Sequence, residues 1–127
     1  AGNAKARFTG GGDLATASRN PDYDFTVASL ATVTRPVVIL AGTTLAFNTT
    51  YGTMSGLFYL SDMDTTVTPN KALPRTIGYY GILIRPSGQP AMKALGFFNL
   101  PQMPVLLPVK TTSLTSPMLS GAVSITP

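Results

Sequence analysis

Asp62 and Asp64 stand two residues apart in Ser61-Asp62-Met63-Asp64-Thr65-Thr66, and Asp22 and Asp24 repeat that spacing in Asn20-Pro21-Asp22-Tyr23-Asp24. Paired carboxylates can share the work of glycoside hydrolysis, but they must face each other across a cleft, usually from different elements. Two on one strand end or loop more often make a solvated turn. Asn20, Asp22 and Asp24 offer oxygens at alternate positions, as a calcium loop does, yet such a loop is closed by a bidentate carboxylate further on. The chain contains no Glu to supply it, and Asn-Pro-Asp also serves simply as a turn feeding a strand. Asn48-Thr49-Thr50 has the form of a glycosylation acceptor and equally of a hairpin turn. Tyr51, Tyr59, Tyr79 and Tyr80 could stack on sugar rings, although their strand positions predict that most belong to a core.

The remaining chemistry is sparse. His, Cys and Trp are absent together with Glu, which removes the commonest general base, the commonest metal ligands and the thiol nucleophile. A Ser-His-Asp triad cannot be assembled. The expectation is a protein that is not an enzyme and needs no cofactor. Charged residues are 11% of the 127, against roughly 25% in an average soluble domain, and mixed surface charge is what keeps a small domain monomeric. The net charge is +4, but the nine cations are scattered, with only Lys5 and Arg7 near neighbours. A phosphate-tracking stripe would cluster them, so no nucleic-acid partner is expected. The longest apolar run, Val37 to Ala41, is far too short to span a bilayer as a helix.

Eleven Pro, 12 Gly and 18 Thr without any Glu point away from helix and toward short strands punctuated by turns. Alternation of apolar and polar residues marks strands at 4–9, 23–29, 30–34, 37–40, 44–48, 53–61, 93–100 and 118–126. Arg75 to Arg85 is the longest candidate. It is apolar on both faces, which predicts a central strand covered twice. Residues 101–117 hold four prolines and read as an extended loop. The segments GLFYL (56–60), GYYGILI (78–84) and GFFNL (96–100) predict three neighbouring strands whose glycines make room for large rings. The fold class is therefore all-β, an antiparallel sandwich or partly closed barrel of about eight to ten short strands.

Laid out in order, AFNTTYGTMSGLFYLSD (46–62), RTIGYYGILIR (75–85), ALGFFNLPQMP (94–104) and TSPMLSGAVSI (115–125) resemble a β-rich module found at the C-terminal end of large exported surface proteins of environmental bacteria. Asn20-Pro21-Asp22 followed by Phe25 fits the start of that module, so the resemblance covers roughly residues 20–126. It implies an exported, surface-associated β-sheet role and carries no catalytic motif. The expectation is a module that stands without a large protein in front of it, either as a processed fragment or as an independent subunit. The opening at Ala1 without an initiator Met is what a processed chain would show.

Residues 1–9 alternate and are tied to the rest by Gly10-Gly11-Gly12, the most permissive hinge available. The expected division is an arm and hinge over 1–12 and a single β domain over 13–127. Such an arm can add to a neighbour's open sheet edge, with Ala4, Ala6 and Phe8 facing that neighbour's core. Equally, it can be the first strand of its own sheet. Leu119, Val123 and Ile125 line one face of the last strand, the next candidate for exchange. The function these features predict is an extracellular structural subunit that binds other copies of itself, as a surface layer or filament. The alternative is an adhesive module recognising surface glycans.

Overall fold

The structure is a computed structural model and describes residues 3–11, 22–29, 32–34, 43–85, 87–88, 92–106, 109–112 and 114–127. They contain eight strands and no helix: β1 (Ala4–Gly10), β2 (Asp22–Ser29), β3 (Thr32–Thr34), β4 (Thr44–Asn48), β5 (Thr53–Asp64), β6 (Lys71–Ile84), β7 (Lys93–Pro101) and β8 (Met118–Thr126). All join one antiparallel sheet in the order β3-β2-β1-β8-β7-β6-β5-β4. The expected strand at 37–40 lies outside the described residues.

The sheet curls on itself. Phe8 of β1 and Phe58 of β5 are four strand steps apart, which a flat sheet would separate by about 19 Å. Their ring centroids are 4.3 Å apart. The inner face is thus wound into a nearly closed barrel. Alternation along each strand sends Ala6, Phe8, Tyr23, Phe25, Phe58, Tyr79, Phe98, Val123 and Ile125 inward, where all are buried. Phe8 is the hub, with edge-on contacts to Tyr79 at 4.9 Å, Tyr23 at 5.9 Å and Phe98 at 6.0 Å. Such edge-to-face pairs contribute beyond the area they bury.

The three segments predicted to be neighbouring strands lie in β5, β6 and β7, and of their glycines Gly56 makes room for a core ring, as does Gly121 of β8. A Cβ at Gly56 would collide with the Tyr79 ring, and one at Gly121 with the Phe98 ring. Gly56 and Tyr79 are partners across β5 and β6, and Phe98 and Gly121 across β7 and β8. Each large ring therefore lies over the glycine beside it.

One end of the barrel is splayed. β6 pairs with β5 from Lys71 to Ile82 but with β7 only from Tyr79 to Ile84. Over residues 71–78 its second edge has no strand partner, which is why Pro74 is tolerated within it. Arg75 bridges the gap. Its guanidinium donates to Asp62 of β5, at 2.9 Å through Nε, and to the Pro101 carbonyl at the end of β7. Beyond it the described residues between 102 and 117 form no strand, as the sequence predicts for a proline-rich loop.

Candidate functional site

The aspartates of both pairs have partners within the fold. Asp62 points into the barrel, buried and ion-paired to Arg75. Asp64, the next inward position, accepts from the Thr66 backbone at 2.8 Å and hydroxyl at 2.5 Å. Those bonds, with Lys110 and Lys71 nearby, hold its carboxyl below the usual range. It caps the β5–β6 turn. Both carboxylates are committed to structure, and no cleft lies between them. Asp22 and Asp24 lie on the outward side of β2, each beside a cation of β1: Arg7–Asp22 at 3.4 Å and Lys5–Asp24 at 3.6 Å. Asn20 is outside the described residues, and among those described no group of three acidic side chains gathers.

The residues expected to mediate exchange lie in the middle of the sheet. β1 is flanked by β2 and β8 and pairs with both. Its alternation is as read, with Ala6 and Phe8 inward and Lys5 and Arg7 outward, and the core they enter is the chain's own. Ala4 is half-buried against the same core. Gly10 and Gly11 adopt the left-handed conformation that favours glycine, at φ 79° and 67°, and Gly11 donates to the Ser120 carbonyl at 3.1 Å. Gly12 is outside the described residues. Leu119, Val123 and Ile125 face inward on β8, between β1 and β7.

The sheet's ends are β3 and β4. β3 is three residues long, and its pairing with β2 shifts register between Val27 and Ser29, devices that blunt an edge. β4, Thr-Leu-Ala-Phe-Asn, carries neither charge nor proline. Its inner partner is β5, and no described strand covers its other side. A cleft of about 250 Å³ lined by Phe25, Val33, Thr43, Thr44 and Leu45 marks the seam.

The second face of β6 is where the sequence reading needs correcting. Only one of its apolar faces is covered. Tyr80 and Ile82 point outward at 58% and 56% exposure, directly opposite Phe97 and Leu95 of β7 at 55% and 47%. Ser55 of β5 and Ala122 of β8 continue the row on either side. Across the outward positions of β5 to β8, Lys93 at one end is the sole charge. Expecting most of the tyrosines in the core was also wrong: Tyr79 is buried, whereas Tyr51 and Tyr80 are exposed and Tyr59 is half-buried. Periodicity identifies apolar faces but not what covers them. The signal for this surface was nonetheless present, in a strand apolar on both sides.

No family model, curated protein or solved structure matches the chain. The described residues hold no helix long and apolar enough to cross a membrane.

Proposed function

We propose that this chain is a non-enzymatic structural protein of the cell exterior that self-associates into a surface layer or filament. One observation carries the reading: the outer face of β5–β8 is an apolar, almost uncharged surface that no described strand covers. Large exposed apolar patches on soluble domains mark contact sites, and the low overall charge gives little protection against contact. The exported location rests on the resemblance of segments 46–62, 75–85, 94–104 and 115–125 to surface-protein modules. The absence of catalysis rests on the missing His, Cys and Glu and on the structural engagement of Asp62 and Asp64.

Growth by strand addition has an acceptor in the edge of β4 that no described strand covers. Donation by β1 would require it to leave two ladders, so it would proceed as an exchange between copies. In purified protein without any sugar, sedimentation and negative-stain imaging should show assemblies. Ala46→Lys, which places a charge on that edge, should shorten them. A chain that stays monomeric up to its solubility limit would sink the proposal.

A second reading has its own support. Tyr80 and Phe97 are exposed rings with Ser55 and Asn99 on the same outer face, a combination that suits sugar stacking. Binding of a stable monomer to a glycan array would favour an adhesive module instead.

A further inference from the structure

We infer that the outer face of β5–β8 seats the same face of a second copy, about a two-fold axis lying in the plane of contact. This rests on the self-association proposed above and specifies which surface meets which.

Charge selects the partner surface. The outward side of β1 and β2 carries Lys5, Arg7, Asp22 and Asp24. Pressing rings onto those pairs would take four ions out of water, a desolvation cost that apolar groups cannot repay. The β5–β8 face laid on its own image buries no ion pair and brings no like charges together at its centre. Lys93 stays at the end of the row.

Shape supports the same pairing. Tyr80, Ile82, Leu95 and Phe97 form a block of two cross-strand pairs on the two central strands of the four. The Tyr80 hydroxyl reaches 3.4 Å from where a Cβ at Gly78 would stand, so the ring lies along the strand and offers a flat side. Small residues, Ser55 and Ala122, flank the block and leave shallow steps for the partner's rings. Sheets pack face to face about 10 Å apart and within about 30° of alignment. Laid flat, four strands by seven residues would cover about 440 Å² per copy. On the curled sheet less of that meets the partner, so two faces fall short of the roughly 1,000 Å² of a specific interface and the dimer is a weak one.

An interface that is its own partner is used up by two copies. The dimer is therefore a closed unit, and any layer or filament grows from it through another contact, for which the β4 edge is available.

The test uses the full-length chain, with Tyr80→Lys and Tyr80→Asp introduced separately. Sedimentation equilibrium should show a species of twice the 13.3 kDa chain mass as the smallest assembly of the parent. Each Tyr80 variant alone should dimerise about 100-fold more weakly or worse, through like-charge apposition. An equimolar mixture should recover the dimer, because residue 80 meets residue 80 across the axis. Ile82→Lys and Ile82→Asp repeat the experiment should circular dichroism show the Tyr80 variants misfolded. If the single variants still dimerise, another surface is used and the inference fails while self-association stands. If they dissociate and the mixture does not recover, the face meets a different surface, such as the exposed Leu106 and Leu114 of the β7–β8 connection, and the two-fold is wrong. A parent that never associates removes the self-association reading itself.

Discussion

Arg75 does at one residue what a longer β7 would have done with a ladder. Where β6 and β7 part, backbone groups at the barrel end need partners, and its guanidinium serves Asp62 and the Pro101 carbonyl together. Asp62→Asn keeps the shape and removes the counter-charge, leaving a nearly buried cation without its ion pair. Breaking one side of such a pair costs about 3–5 kcal/mol, to be read as a lower urea midpoint with an unchanged slope. A loss below about 1 kcal/mol, the range of surface pairs, would show that water reaches the splayed end. Tyr79 makes a different commitment. Its hydroxyl donates to the Thr44 carbonyl at 2.5 Å, and burial, with Tyr23 beside it, pushes its ionisation far above the ordinary phenol range. Burial raises Tyr23 too. Both folded pKa values exceed the unfolded ones, so the stability they contribute is complete below about pH 10 and lost as pH rises beyond it. Tyr79→Phe should be the less stable protein at pH 7, by about 1–3 kcal/mol for the orphaned carbonyl. It should also show the shallower alkaline decline, so thermal melts of the two chains should converge as pH rises.

The strand elements were legible because Gly and Pro punctuate them and alternation fixes their faces. β1, β7 and β8 follow the sequence reading within a residue or two, and so do the faces of β1 and β8 that carry Ala6, Phe8, Val123 and Ile125. What was not legible is long-range. Asp62 and Pro74 look like strand breakers, yet the β5–β6 hairpin runs in register through both, to Asp64 opposite Lys71. Only the separation of β6 from β7 explains why Pro74 is allowed there. The role of the first segment likewise depends on its neighbours, since an arm and a first strand have the same alternation. With both edges of β1 paired and Phe8 at the centre of the ring cluster, deleting residues 1–9 should unfold the chain. The Phe8 side chain alone accounts for about 3–5 kcal/mol. A truncated chain that keeps its β spectrum and a cooperative melt would mean that β1 is dispensable to the monomer and free to serve another copy. Addition of the arm as a peptide should then restore assembly.

The whole molecule has two unlike sides, and that asymmetry governs how copies respond to salt. On one side, outward charges of β1 and β2 are paired across strands; on the other, β5 to β8 present rings and aliphatic groups with Lys93 alone at the margin. Each copy carries +4, so approaching copies repel at low ionic strength, with a reach of about 10 Å at 0.1 M. Contact through the bare face gains nothing from opposite charge and is driven by apolar burial. Added sodium chloride therefore screens the repulsion without weakening the attraction, and sulfate, excluded from protein surface, strengthens burial further. The dimer dissociation constant should fall as sodium chloride rises from 0.02 to 0.5 M, by about threefold to tenfold, worth roughly 1 kcal/mol, and should fall again in sulfate at equal ionic strength. Assembly through complementary charges, for instance Lys5 and Arg7 of one copy against acids of another, has the opposite sign: salt would loosen it. Sedimentation equilibrium across that salt series separates the two, and dissociation on adding salt would move the interface from the bare face of β5–β8 to the charged side of the barrel.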